Sequence, residues 1–510
     1  MQIQKIPYGF KNVLSLESKL KTKPEEYWVR RGENRALKLF KLMSQRVPAY
    51  KDFLKKNNIS PDTIKKIEDF KKIPPLDKDN YLRKYSIQEL CWDGNFVERR
   101  WTISTNSGST GEPFYFPREK EQDGQYALLA ELYLRNNFDI HKKTTLYLDC
   151  FAMGAWIGGL FTYEAIRIVA ERGKYPLTIY TPGIFKEEIL KAVISLGNRF
   201  DQVIIGGYPP LVKDVIDEGA SLGVDWKKYN LGFIFSAEGF TEEFRNYIYE
   251  RAKIKDYFKR SLNHYGTADM GTMAHETPLT ILVRVLLNEH PKITPRIFPE
   301  TNRLPTLTQY FPELFYFEEN NNVLFCTGWS GIPFVRYNLK DYGGIIGYVE
   351  LTRKFNEEGI YLDKRLTEMN IQVWKLPFVY LYERKDFVVK LYGANIFPDT
   401  IRHALQQSHF EEYITSKFTL MIKYNKNQNQ FLEINVELKK GITKTDSLAK
   451  KIKIEVVKSL LQENSEYTSN YRALRERQEP VVLLWPYEYP EFFKSGGKQK
   501  WIKSEPSIEK

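Results

Sequence analysis

Trp101-Thr102-Ile103-Ser104-Thr105-Asn106-Ser107-Gly108-Ser109-Thr110-Gly111-Glu112-Pro113-Phe114-Tyr115-Phe116-Pro117 is the stretch on which the reading of this chain turns. An apolar/polar alternation precedes the small residues and an aromatic run follows them. That pattern predicts a strand, a hydroxyl-rich loop and a second strand. Such a loop can wrap a phosphate without a fixed charge. Its glycines let the backbone approach an anion, the peptide N–H groups converge on it, and the hydroxyls of Ser107, Ser109 and Thr110 add neutral donors. Taken alone, the same residues fit a solvent-exposed hairpin turn equally well.

Outward from the loop, helical and strand periodicities alternate. A helix is expected over 125–138, then strands over 144–148, 177–180, 202–205, 231–235 and 260–263, separated by helices over 159–170, 187–194, 210–216 and 241–252. Crossovers of this length force parallel pairing, so the expected architecture is a layered α/β domain with parallel-type sheets whose strand ends carry the ligand. Upstream, 15–56 is amphipathic and helical, and Ser60-Pro61 opens a further short helix through Phe70, giving a mostly helical outer layer over 1–95. Strands and turns are expected over 312–382. Beyond the charged trio Arg384-Lys385-Asp386 comes a compact α+β unit, with strands over 387–391, 431–438 and 480–485 and helices over 398–407 and 446–461. The expected division is a large domain over 1–384 and a small C-terminal one over 385–510.

A chain of 510 residues is too long for one core, and the size prior gives about three structural units. With 42% apolar, 27% charged and 15% aromatic residues it reads as globular, and its 33 Tyr and 32 Phe make ring-lined pockets available. The formal charge of +12 is spread and interleaved with acids, as in Glu68-Asp69 beside Lys71-Lys72. It describes a solvated surface that favours anionic ligands, not a nucleic-acid binder. Cys91, Cys150 and Cys326 stand far apart with no Cys-x-x-Cys pair, which points to a reducing, cytoplasmic setting and away from a disulfide frame or structural zinc. No secretion signal is expected at the start. The most apolar stretch, 150–163, is shorter than the roughly 20 residues of a membrane span, so it reads as a buried strand end and helix.

Four more stretches fall at expected strand ends or loops: Phe235-Ser236-Ala237-Glu238-Gly239, His264-Tyr265-Gly266-Thr267-Ala268-Asp269-Met270-Gly271, Arg336-Tyr337-Asn338-Leu339-Lys340-Asp341, and Lys494-Ser495-Gly496-Gly497-Lys498. Each has a structural use by itself. Tyr265 can be a half-buried core aromatic, Asp269 and Asp341 turn or capping residues, and Lys498 a solvated lysine. As an ordered set, with the central loop and Arg384 to Pro398, they resemble the adenylate-forming superfamily of acyl-CoA synthetases. The nearest likeness is to the phenylacetate-CoA ligase and coenzyme F390 synthetase-like branch. Within it, Gly266-Thr267-Ala268-Asp269 with His275-Glu276-Thr277-Pro278 is most similar to the atypical adenylating proteins of phenazine biosynthesis.

The resemblance implies that a small carboxylic acid attacks the α-phosphate of Mg·ATP, giving an acyl-adenylate and pyrophosphate, and that a thiol of coenzyme A or phosphopantetheine then displaces AMP. It implies that Ser107, Gly108, Ser109, Thr110 and Gly111 hold the β/γ-phosphates. Tyr265, with Gly266 and Thr267, would stack on adenine, with Ala237 and Glu238 near the base edge. Asp341 would accept the ribose hydroxyls, and Arg384 would be the basic partner of the same sugar. Lys498 would be the catalytic lysine bridging carboxylate and α-phosphate, Asp386 the hinge of a mobile lid, and Asp269 the magnesium carboxylate. Trp156 is the candidate wall of a pocket for an aryl or otherwise apolar acid. Three departures stand out: Asp269 where most relatives carry Glu, Glu112 where a lysine is common, and no recognisable set of the cysteine and histidine ligands some relatives use for zinc, so that His264, His275 and Cys326 read as ordinary residues. They leave two alternatives open, a member that binds nucleotide without turnover and transfer to an amine, a hydroxyl or an acyl carrier protein.

Overall fold

The alternation between residues 145 and 267 builds one half of an 11-stranded sheet. The computed structural model describes residues 12–105, 114–298, 304–382, 388–493 and 502. In chain order the strands are β1 (Thr102–Thr105), β2 (Tyr115–Arg118), β3 (Thr145–Cys150), β4 (Leu177–Tyr180), β5 (Gln202–Gly207), β6 (Leu231–Phe235), β7 (Ser261–Thr267), β8 (Gly271–His275) and β9 (Thr306–Tyr310). They continue as β10 (Phe315–Asn320), β11 (Val323–Gly328), β12 (Phe334–Ile346), β13 (Phe378–Tyr382), β14 (Val389–Leu391), β15 (Ala394–Ile396), β16 (Ile414–Tyr424), β17 (Gln430–Leu438) and β18 (Val481–Trp485).

The large sheet runs β10-β11-β12-β13-β9-β8-β7-β6-β5-β3-β4. The five strands from β4 to β7 pair in parallel, as the helical crossovers require. From the β7–β8 hairpin onward the pairing is antiparallel, so the sheet is mixed and not parallel throughout. β3, β5 and β6 are buried on both faces, which is why they read as near-continuous apolar runs. Helices Lys120–Phe138 and Ile157–Gly173 cover one face, packing on Tyr147, Ile204, Ile234 and Leu262. Helices Lys186–Leu196, Pro209–Ser221 and Glu242–Ala252 cover the other. The connection out of β3 therefore leaves to one face and that out of its neighbour β5 to the opposite face.

Three expectations are corrected. The short helix expected from Ser60 to Phe70 is instead two 3₁₀ turns, Pro61–Thr63 and Ile67–Lys72. They lead into Leu76, which pairs in parallel with Tyr337 of β12. The region from 312 to 382 holds helices Tyr348–Glu357 and Leu362–Glu368 besides its strands. The C-terminal segment contains the long strand β16 and helix Ser465–Leu474 beyond the expected elements. There β16, β17 and β18 form a three-stranded sheet, and β14–β15 is a separate hairpin. The apolar cores of this segment and of the parallel half join in one cluster. No described helix is long and apolar enough to cross a membrane.

Candidate functional site

β7 is where the sheet changes from parallel to antiparallel pairing, and Tyr265 stands near its C-terminal end. Its hydroxyl donates to Asp341 Oδ2 at 2.8 Å, joining side chains 76 positions apart. Asp341 lies on β12 beside Lys340, whose φ of +57° accompanies the irregular register with β11. Such a bulge re-aims side chains. Gly266 has a spatial reason: a Cβ there would lie 2.6 Å from the Gly271 carbonyl oxygen. Thr267 Oγ1 accepts the Met270 N–H at 3.2 Å and so holds the turn into β8.

That turn carries Asp269, which is buried. The Tyr337 hydroxyl donates to its Oδ2 at 2.5 Å, and the Lys78 ammonium stands 3.6 Å from its Oδ1. Lys78 is delivered by the Leu76–Tyr337 pairing, which presses the 74–79 segment onto β12 through backbone bonds of 3.1 and 2.8 Å with Arg336 and Asn338. Tyr265, Asp341, Asp269 and Tyr337 thus sit along β7, its turn and β12, with Lys78 brought against them from the 74–79 segment. Arg336 points elsewhere, to Glu318 and to the carbonyls of Phe70 and Ile73.

Ala237 follows β6 with φ of +74°, a left-handed conformation that disfavours any side chain with a Cβ by about 1–2 kcal/mol. Its carbonyl accepts the Lys390 ammonium. The Glu238 carboxylate, also buried, accepts the Gly393 N–H on one oxygen and Gln430 Nε2 at 2.9 Å on the other. The β14–β15 hairpin is therefore docked on the end of β6. Beside it the Tyr392 hydroxyl donates to Asp214 at 2.9 Å, and a Cβ on Gly393 would lie 3.0 Å from the Tyr208 ring. Trp156 is half-buried and precedes helix Ile157–Gly173. Its turn is tied to β1 by a 3.0 Å bond from the Thr105 N–H to the Ala155 carbonyl, next to the start of the 106–113 stretch.

Ser107, Gly108, Ser109, Thr110, Gly111, Arg384, Asp386 and Lys498 lie outside the described residues. Lys78, Tyr337, Lys390 and Gln430 are polar groups at the site that the sequence reading passed over. Only Tyr337 had a visible signal, its place within the stretch from Arg336 to Asp341. Lys78 and Gln430 arrive through contacts between segments far apart in the chain. No group of three or more His, Cys, Asp or Glu among the described residues could hold a metal ion. Burial drives His275 down to about 4 and His264 further below the usual imidazole value, so both rings are neutral.

No protein-family profile matches the chain, and no curated protein sequence matches it. Solved structures do. A crystal structure of a 2-hydroxyisobutyryl-CoA ligase with 2-HIB-AMP and CoA in the thioesterification state aligns with a TM-score of 0.64 at 13% identity, over 96% of this chain and 92% of that one. The same ligase in the postadenylation state gives 0.53 at 12% identity, over 96% and 92%. Its open conformation gives 0.52 at 12% identity, over 96% and 94%. The likeness is one of fold, along nearly the full length of both chains.

Proposed function

We propose that this chain is an adenylate-forming enzyme of the acyl-CoA synthetase superfamily, within the phenylacetate-CoA ligase-like branch and akin to the adenylating proteins of phenazine biosynthesis. It would activate a carboxylic acid of aryl size at the expense of ATP. One observation carries the reading: Tyr265 and Asp341, expected from separate motifs to hold the base and the ribose of one nucleotide, meet through a 2.8 Å hydrogen bond. The fold match to a ligase that forms an acyl-AMP supports it.

In this mechanism the acid's carboxylate oxygen bonds to the α-phosphorus of ATP and pyrophosphate leaves. The Ser107–Gly111 loop holds the departing phosphates, Asp341 and Arg384 fix the ribose, and the Lys498 ammonium neutralises the charge that builds on the α-phosphate. Asp269 is the residue that would hold magnesium on the nucleotide, and the ion would supply positive charge against the phosphates there. A thiolate of coenzyme A or phosphopantetheine then bonds to the acyl carbon and AMP leaves. The segment after Asp386 acts as a lid that alternates between the two steps. Transfer to a carrier-protein thiol follows the same steps.

A second reading, nucleotide binding without turnover, is favoured by one feature, the Lys78 ammonium beside Asp269 where a metal would compete with it. The two separate in one assay. Acid-dependent exchange of labelled pyrophosphate into ATP is expected, falling at least ~100-fold in Lys498→Ala. ATP binding with no exchange across a broad acid panel would establish the second reading instead.

A further inference from the structure

The strongest unassigned feature is a buried carboxyl at the end of β3. Asp149 is fully buried; among the described residues its Oδ1 accepts only a 3.4 Å bond from the Phe151 N–H, and its Oδ2 has no partner. No Lys or Arg among the described residues pairs with it. Tyr147, two residues back on the same face, has an unpartnered hydroxyl that lies over Gly206, the cross-strand neighbour of Asp149. His264, on the same face of β7, has an unpartnered Nε2, and its ring packs against Tyr126 and Tyr133. Three buried polar groups are thus left unmatched on one face, at one end of the parallel strands. An unpaired buried carboxyl is among the more unfavourable things a core can hold.

Its position says what it is for. The connections out of β3 and β5 leave to opposite faces, so the crevice between their C-terminal ends is the topological switch point, where open α/β sheets bind ligands. Asp149 and Gly206 stand side by side at that point. Tyr208, just beyond β5, receives the Ala152 N–H at 3.4 Å and abuts Gly393 of the docked hairpin, so the C-terminal ends of β3 and β5 face the C-terminal segment. Strand axes lie about 4.8 Å apart, so β3 stands roughly 14 Å across the sheet from β7. Burial holds the Asp149 carboxyl well above the ordinary carboxylate range.

We infer that Asp149 receives a hydrogen-bond donor, a hydroxyl or a protonated amine, on the tail of the acid, so that the substrate is an aryl-sized acid with a polar substituent and not a purely apolar one. This rests on the adenylation reading for the identity of the ligand as an acid. The test uses matched acids of one shape bearing hydroxyl, amine or methyl at the far end, in the pyrophosphate exchange assay. The full-length protein is expected to show a KM at least tenfold lower for a donor-bearing acid than for the methyl analogue, and Asp149→Leu is expected to abolish that preference. Asp149→Asn, which keeps the shape, should retain a hydroxyl acid and lose an amine acid. An undiminished preference in Asp149→Leu, or none in the wild type, overturns the inference. If no acid supports exchange, melting temperature decides. A rise with a donor-bearing acid in the wild type but not in Asp149→Leu upholds the assignment while the turnover reading falls. No rise, or an equal rise in both proteins, refutes the assignment.

Discussion

Behind β7, Arg245 and Arg284 face Glu242 and Glu276, with Arg245 at 2.8 Å from each carboxylate and Arg284 at 2.9 Å from Glu242. Arg245 also donates to Ser261 Oγ at 2.6 Å, and Glu276 accepts the Asn263 N–H at 2.9 Å. Three strands away Asp149 is buried to the same degree with one weak bond. The first group is matched charge for charge and ties helix Glu242–Ala252, helix Pro278–Glu289 and β7 into one body. The second is matched by no charge among the described residues. Burial alone does not separate a structural polar group from a receptor; the state of its partners does.

The largest expected effect breaks the matched group. Glu276→Leu leaves two buried guanidiniums sharing one carboxylate and should lower stability by about 3–5 kcal/mol in urea unfolding; a change within the ordinary surface range of ~0.5 kcal/mol would show that the network is not structural. The unmatched group should respond with the opposite sign. Asp149→Asn removes a carboxyl that burial holds above its unfolded value, so in the wild type the folded state keeps a proton that the unfolded state has lost. Wild-type stability therefore falls relative to the variant as pH rises above about 4, by up to ~1.4 kcal/mol for each tenfold drop in proton concentration. Glu242 runs the other way. Burial alone would raise its carboxyl, but the Arg245 and Arg284 charges hold it below the ordinary value. Its contribution is present above the unfolded value of about 4.3 and is lost as pH falls through the lower folded one. Unfolding curves of wild type and Asp149→Asn from pH 3.5 to 7.5 should diverge upward; parallel curves would remove Asp149 from the argument.

The same contrast governs what could be read in the sequence. The parallel half was legible strand by strand, because β3, β5 and β6 are buried runs between helices of regular period. Helix Ser465–Leu474 was not, since its Tyr, Thr, Ser and Asn show no clear apolar stripe. At the site, the short stretches around Tyr265 and Asp341 announce themselves by glycines and acids next to strands. Lys78 and Lys390 do not, because nothing local says that the 74–79 segment will lie along β12 or that β14–β15 will dock on Ala237. In the sequence Asp149 is only the polar residue that precedes the apolar stretch 150–163. What distinguishes it, the absence of a partner, is a property of the packed core that no sequence pattern carries. The 106–113 loop, Arg384, Asp386 and Lys498 remain proposals resting on the resemblance.

The Tyr265–Asp341 bond belongs to neither class: both groups are matched in the absence of ligand, yet one is proposed to hold the ribose. Tyr265→Phe keeps the ring and deletes one of the donors to Asp341, so it should reduce stability by only about 0.5–1.5 kcal/mol. If Asp341 must turn from that hydroxyl to the sugar when nucleotide binds, the same change removes a competing bond and the KM for ATP should stay level or fall while Tm falls. A purely structural pair predicts the same loss of stability but with weaker ATP binding, as the β7–β12 contact loosens. Thermal melting and ATP titration of this one variant therefore distinguish a contact that exists to hold the fold from one that the ligand is meant to replace.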